Sequence, residues 1–279
     1  MLKRILVGVT GTPALEAKVT YTVDLAWRHG AAVELVDIVD VDRLSEVGSV
    51  PIGAGHFYDR MVKRRVQESH EASDKSVALF RQRCEGAKVD VTVIRREGDP
   101  ITLLASLWRY ADLLVIDARG WFDHGVLPDP EGALGQLVVN GVRPILAVPE
   151  ETTEGVSRVV VAYNGTMEAA KAMKQFAQLA LYPEAEVEIV LAGNAKTEED
   201  PQDLLDDAML YLKAHGYRCT TRRLDGGDRA GVLLDHCKAG GVDLIVMGGS
   251  MHRILLSKRF GRMTMDMLRR SQIPLFISH

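Results

Sequence analysis

The residues best suited to chemistry lie near the C-terminus. Residues 242–250 read Val-Asp-Leu-Ile-Val-Met-Gly-Gly-Ser, a basic segment with Arg253, Lys258 and Arg259 comes next, and then Gly261-Arg262-Met263-Thr264 opens a helical run. An apolar strand that empties into Gly248 and Gly249, with another glycine at the mouth of the next helix, directs backbone N–H groups at one spot and suits an anion. Arg253, Lys258, Arg259 and Arg262 add positive charge of the kind that recognises phosphate. The plainer alternative is that the glycine pair only turns the chain after a strand and that the basic residues form a solvated loop. His252 lies in the same segment and is expected to face solvent.

Other chemistry is poorly supported. No Gly-x-x-x-x-Gly-Lys-Ser/Thr run occurs, which excludes a P-loop ATPase, and no Gly-x-Gly-x-x-Gly follows a first strand as a dinucleotide-binding enzyme would require. His124 with Asp123 and Asp129, or His56 with Asp59, offers two ligand types without a third. Cys84, Cys219 and Cys237 are odd in number and have no Cys-x-x-Cys spacing, so neither a disulfide framework nor a zinc site follows. Cys237 adjoins His236, but neighbours along a helix do not face each other. A formal charge of −4 gives no global footprint for nucleic acid. No apolar run reaches the ~18 residues of a membrane span. The first apolar run ends at Val9, shorter than a secretory core. The expectation is a cytoplasmic protein with no nucleic-acid or membrane partner.

The elements that must position the glycines alternate in type. With 47% apolar and 26% charged residues, the 279-residue chain has the composition of a globular protein with room for one large domain or two ordinary ones. Short β-branched runs predict strands over 3–9, 32–39, 89–95, 112–116 and 144–149. Helical spacing predicts helices over 14–29, capped by Gly30, and 58–83, one capped by Asp99 with Pro100 in its first turn, and a short one around 135–139. Residues 41–57 read as a long surface loop. Such alternation implies right-handed crossovers and a parallel sheet covered on both faces. After a polar linker at 150–157 the pattern repeats: Ile5-Leu6-Val7-Gly8-Val9-Thr10-Gly11-Thr12 returns as Val159-Val160-Val161-Ala162-Tyr163-Asn164-Gly165-Thr166. Gly98-Asp99 returns as Gly227-Asp228, Asp112-Leu113-Leu114-Val115 as Asp243-Leu244-Ile245-Val246, and Arg143-Pro144-Ile145-Leu146 as Ile273-Pro274-Leu275-Phe276. The expected fold class is α/β, with two tandem doubly wound domains over 1–150 and 157–279, each a five-stranded parallel sheet flanked by helices.

The strand ending Val-x-x-Asn-Gly-Thr, the strand Asp-Leu-Ile-Val-Met-Gly and the final Pro-Leu-Phe-Ile strand resemble the universal stress protein family in its two-domain form, over nearly the whole chain. The resemblance implies an adenine nucleotide alpha hydrolase-like fold. Nucleotide-binding members follow the fourth strand with Gly-x-x-Gly, nine residues and Gly-Ser, a loop that holds the phosphates of ATP. Here Gly248 takes the first position, Met251 stands at the second, and Gly261, followed by Arg262, takes the third. Methionine does not cheaply supply positive φ or a close approach to an oxygen. Asn164 stands where members often carry the Asp that meets adenosine, and the adenine contact from the second strand falls at Leu191 or Ala192. The implied nucleotide set is Asn164, Gly165, Thr166, Leu191, Gly248, Gly249, Arg253, Gly261, Arg262, Met263 and Thr264, with no catalytic or metal set. In the first copy Asp117, Gly120 and Glu131 take the three glycine positions and Thr10 the Asp position. Those acids, with Asp123 and Asp129 nearby, would repel a polyphosphate unless a cation intervened.

The function implied by the resemblance is that of a stress-response regulator, which binds ATP or AMP, with Mg2+, in its C-terminal domain and acts through conformation or an unidentified protein partner. At most it would hydrolyse ATP slowly, since no general base is placed. One alternative is an interaction protein that binds no nucleotide in either copy, supported by Met251, Thr10, Asp117 and Glu131; another is a small-ligand or metal-binding variant at the switch point of the sheet. The 41–57 loop, with its Gly-Ala-Gly-His, would serve another ligand or cover the sheet edge. Members of the family pair through their final strands. Residues 145–148 and 275–278 are therefore expected at edges, with the copies forming a pseudo-dimer and the chain a homodimer.

Overall fold

A computed structural model describes residues 1–9, 14–40, 55–117, 137, 141, 143–151, 155–249, 251–254 and 257–279, with backbone alone at 251–254 and 257–260. The first half runs β1 (Arg4–Val9), α1 (Leu15–His29), β2 (Ala32–Val39), α2 (Gly55–Gly86), β3 (Val91–Glu97), α3 (Pro100–Trp108), β4 (Leu113–Asp117) and β5 (Ile145–Val148). The second runs β6 (Arg158–Ala162), α4 (Met167–Leu179), β7 (Glu186–Ala192), α5 (Pro201–Ala214), β8 (Arg218–Leu224), α6 (Arg229–Gly240), β9 (Leu244–Gly248), β10 (Met251–Ile254), β11 (Ser257–Phe260), α7 (Arg262–Arg270) and β12 (Leu275–Ser278).

One ten-stranded sheet carries both halves, in the order β3-β2-β1-β4-β5-β12-β9-β6-β7-β8. Each half has the reversed strand order of a doubly wound unit, as expected. The halves join through β5 and β12, which pair antiparallel with Phe276 opposite Leu146, while the other described ladders of this sheet are parallel. The strands expected at edges are thus the edges of each half and meet in the middle of the whole. β4, β5 and β12 are buried along their length, the mark of strands covered by helices on both faces. Two apolar cores result, one on each face, and both run through the junction. One contains Val7, Leu25 and Phe80 together with Phe176, Val246 and Phe276; the other contains Leu6, Trp108 and Ile145 together with Val160, Met267 and Leu275.

The duplication extends to single hydrogen bonds. Asp112 Oδ2 accepts from the backbone N–H groups of Lys3 (2.9 Å) and Arg4 (3.1 Å), and Asp243 Oδ2 accepts from those of Ser157 (2.8 Å) and Arg158 (2.9 Å). Asp99 caps α3 by accepting from Thr102 N at 2.7 Å, as Asp228 caps α6 by accepting from Gly231 N at 3.1 Å.

Three boundaries differ from expectation. α2 begins at Gly55, so the last residues assigned to the long loop are helical; residues 41–54 lie outside the described residues. β3 starts at Val91 rather than at Val89. Lys88 takes a left-handed φ of 57° and Val89 N donates back to Cys84 O at 2.8 Å, which makes Val89 the hydrophobic end of the helix stop. The basic segment after β9 is a β-hairpin, not an open turn: β10 and β11 pair antiparallel with Met251 opposite Phe260 and Arg253 opposite Lys258. The short helix expected around 135–139 is described only at Leu137, which is helical and buried. Among the described residues, no helix is long and apolar enough to cross a membrane.

Candidate functional site

At the C-terminal ends of β6, β7 and β9 a cavity of about 490 Å3 opens in the second half. This is the crevice of a parallel sheet where strand order reverses, the place at which open α/β sheets bind ligands. Its floor is apolar, made by Ala162, Val190, Ala192 and Met247; its polar rim carries Asn164, Thr166, Glu168, Lys196, Arg229 and Arg262. Gly248, Gly261, Met263 and Thr264 close the side toward α7.

Two helices begin in this cavity, and they begin differently. At α4, Thr166 is the N-cap and its Oγ1 accepts from Ala169 N at 3.3 Å. Asn164 Oδ1 in turn accepts from Thr166 N (3.2 Å) and Thr166 Oγ1 (3.0 Å), so the oxygen of this amide is committed to the turn and its Nδ2 is the group suited to a ligand. Glu168, in the first turn, sets a carboxylate against the positive end of the helix. At α7 the N-cap is Gly261, which has no side chain to offer, and the first turn contains no acidic residue. The first N–H groups of α7 therefore reach the cavity without a side-chain cap. Thr264 lines the same wall; it is 1% exposed, and its Oγ1 has no hydrogen-bond partner among the described residues. A buried hydroxyl without a partner is costly, and one beside bare helix N–H groups is a place for an anion. Tyr163 also lines the cavity, its phenol held above the usual range by burial, with Glu199 and Asp207 adding to the shift.

Seven residues expected at the site are brought together here: Asn164, Thr166, Gly248, Gly261, Arg262, Met263 and Thr264. Four are not. Gly165 adopts φ +82° and lies so close to Thr197 that a Cβ would stand 2.7 Å from its Cγ2; it shapes the turn without lining the cavity. Leu191 points its side chain into the core on the opposite face, because alternate strand residues face opposite ways, and Val190 and Ala192 take the lining positions. Gly249 donates its N–H to Ser278 O at 2.7 Å and has none left for a phosphate. Arg253 belongs to β10, and its side chain lies outside the described residues. Met251 sits in that same paired strand, where extended backbone makes no demand for glycine. Gly248 has a further role. A Cβ on it would stand 2.5 Å from Ala169 N, so glycine is what lets α4 descend onto the end of β9.

Glu168, Lys196 and Arg229 are site residues that motif spacing does not reveal. Arg229 follows the Gly227-Asp228 pair that opens the crossover from β8 to β9. Lys196 follows β7, and its N–H donates to Asn164 O at 2.9 Å, tying two rim segments together. The signal that marks all three is position just past a parallel strand or just inside a helix start, at the end of the sheet where ligands bind.

At the matching position the first half carries two buried charged side chains. Asp117 ends β4 as Gly248 ends β9, and Lys18 lies on α1 where the repeat places Ala172 on α4. Lys18 is fully buried and donates to Gly8 O at 3.1 Å, at the end of β1. Burial lowers its pKa to about 8, against an opposing pull from Asp117. Asp117 itself is 1% exposed. Its carboxylate lies near enough to Lys18 to act on that lysine's charge. Thr10, Gly120, Asp123, His124, Asp129 and Glu131 lie outside the described residues.

Reactive side chains elsewhere are engaged. Burial pushes the thiols of Cys84 and Cys219 up to about 11 and that of Cys237 up to about 12, away from thiolate chemistry. His236 Nε2 pairs with Glu188 Oε2, which shares its carboxylate with Arg222. Among the described residues, no group of three His, Cys, Asp or Glu side chains is placed to hold a metal ion.

Compared with known protein families, residues 1–141 and 155–279 each match the universal stress protein family. A universal stress protein of Synechocystis sp. is 23% identical over 98% of this chain and 98% of its own. Among solved structures, a universal stress protein from Archaeoglobus fulgidus aligns over 99% of this chain and 97% of its own, with a TM-score of 0.69 and 16% identity.

Proposed function

The chain belongs to the universal stress protein family, and from that premise we propose that it is a cytoplasmic adenine-nucleotide-binding regulator whose working site is the cavity of the second half. The observation that carries the reading is the start of α7: a helix N-terminus without a side-chain cap, beside the buried and unpartnered Thr264 hydroxyl, inside a cavity with an apolar floor. The helix start suits a phosphate and the floor of Ala162, Val190, Ala192 and Met247 suits the face of a base. Lys196, Arg229 and Arg262 supply positive charge at the rim. In the first half Lys18 and Asp117 occupy the corresponding ground, which favours a single nucleotide per chain. Regulation would follow from the nucleotide's contacts with β6, β7, β9, α4 and α7, which tie several elements of one domain to a single ligand.

A second reading, an interaction protein without nucleotide, is favoured by the Gly249 amide committed to Ser278 and by the hairpin that stands where the phosphate loop is expected. Denaturing extraction of the purified protein followed by mass spectrometry, before and after incubation with ATP or AMP, separates the two. The expected result is about one equivalent of adenine nucleotide per chain, lost in Gly261→Val, which puts a branched side chain at the mouth of α7. Unchanged nucleotide content in that variant would place the ligand elsewhere. No nucleotide in any sample, with no rise in melting temperature at millimolar concentrations, would favour the interaction protein.

A further inference from the structure

Resting on the nucleotide reading, we infer that the cavity is a one-phosphate site that selects nucleoside monophosphates over di- and triphosphates. A polyphosphate needs several anion seats in a row, and among the described residues one helix start at this cavity is uncapped. The seat at α7 is open: Gly261 gives no cap, the first turn has no carboxylate, and Thr264 Oγ1 awaits a partner. The corresponding seat at α4 is partly taken by the chain itself. Thr166 Oγ1 takes the Ala169 N–H, and the Glu168 carboxylate lines the cavity from the first turn of that helix. In the turn after β9 the Gly249 N–H, the described donor there, goes to Ser278 O, and β10 pairs with β11 from Met251 on.

A nucleotide with its first phosphate on α7 therefore finds no second uncapped helix start among the described residues. Further phosphates that turn back into the cavity meet Glu168, a like charge in a partly desolvated place. Those that turn outward reach the adjoining hollow of about 350 Å3, where the carboxylates of Asp228 and Asp266 line the wall together with Arg229 and Arg262 and offset their charge. The departures of this chain from a glycine-rich phosphate loop thus have one common effect, which is to shorten the anion that fits.

Isothermal titration of the full chain with AMP, ADP and ATP, each with and without Mg2+, tests the inference. AMP is expected to bind at least about tenfold more tightly than ATP. Thr264→Val, which keeps side-chain shape, should weaken AMP about ten- to a hundredfold, the equivalent of one hydrogen bond to a charged group. Glu168→Gln should raise ATP affinity more than AMP affinity, narrowing the gap between them. Affinity that grows with the number of phosphates overturns the selection, as does a Glu168→Gln variant that loses Mg2+-dependent ATP binding, since the carboxylate would then be holding the metal of a triphosphate. Absence of binding by all three nucleotides overturns the nucleotide reading and the selection with it, whereas tight ATP with weak AMP overturns the selection alone.

Discussion

Replacing Lys18 by methionine tests whether the first half has an internal cation where the second half has a cavity. Lys18 is fully buried, bonds to Gly8 O, and has its pKa lowered to about 8 by burial, with Asp117 pulling the other way. An unfolded lysine keeps its proton up to about 10.5, so between those two values the unfolded chain binds more protons than the folded one. The contribution of this lysine to stability therefore rises with pH across that window and is lowest below about 8. Between pH of about 7.5 and about 9.5 the two pKa values correspond to a gain of about 2 kcal/mol. Within this window the buried thiols of Cys84, Cys219 and Cys237, held up to about 11, 11 and 12, act in the opposite sense, because an unfolded thiol loses its proton beyond about 8.5. The lysine contribution is therefore read as the difference between wild type and variant. Tyr182 and Tyr217 add to the opposing effect at higher pH. Burial holds their phenols above the usual range, so the folded chain keeps protons that the unfolded chain loses beyond about 10, and stability then falls. Urea unfolding of the wild type, Lys18→Met and Lys18→Ala at both pH values is the assay. The wild type should gain about 2 kcal/mol relative to either variant. An equal pH response in all three would refute the idea that a buried lysine ammonium fills the first site.

Two further substitutions probe the scaffold. Gly248→Ala puts a methyl within 2.5 Å of Ala169 N and 2.6 Å of Glu168 C, so α4 must lift from β9; overpacking of this kind costs roughly 1–3 kcal/mol, read as a lowered urea midpoint together with weaker nucleotide binding. Phe276→Ala empties a fully buried ring position at the β5–β12 junction and should cost roughly 3–5 kcal/mol. Because both cores run through that junction, calorimetry should show one transition for wild type and variant alike, and two separated transitions would contradict the shared cores.

Much of the architecture was legible because each element announces itself locally. The apolar β-branched runs around Ile5 and Val159, the Gly-Asp helix starts at 98–99 and 227–228, and the recurring Pro before the last strand of each copy carry the fold class and the duplication. The junction was legible only through resemblance, since nothing in Leu275 to Ser278 says which strand it will meet. The site was half legible. Glycine is visible in a sequence, but the reason for glycine is not. Gly165 serves a positive φ, Gly248 a close approach by a helix and Gly249 a ladder bond, and only Gly261 leaves its helix start open. Leu191 misses the lining by one residue because a strand's facing alternates with every position, so a loosely placed contact has an even chance of pointing away. Met251 is a flaw only in a segment that turns, and this segment is a paired strand. Lys196, Arg229 and Glu168 belong to the site through tertiary placement alone.

The contrast between the halves turns on two pairs of positions, and the members of each pair constrain each other. In the second half Gly248 has no side chain and Ala172 only a methyl, so the α4 backbone can come down onto β9 and leave the crevice beside it open. In the first half Asp117 and Lys18 fill the same ground with opposite charges. Lys18→Ala alone would remove the cation near a 1% exposed carboxylate, and Asp117→Gly alone would remove the carboxylate that raises the pKa of a fully buried ammonium. Removing one partner of a buried pair is strongly destabilising, whereas replacing both with residues that fit need not be. The double change is therefore the one that a drift from plugged to open, or from open to plugged, must make nearly together. Such coupling accounts physically for how one copy of a duplicated unit can stay closed while its twin, on the same scaffold, keeps a cavity.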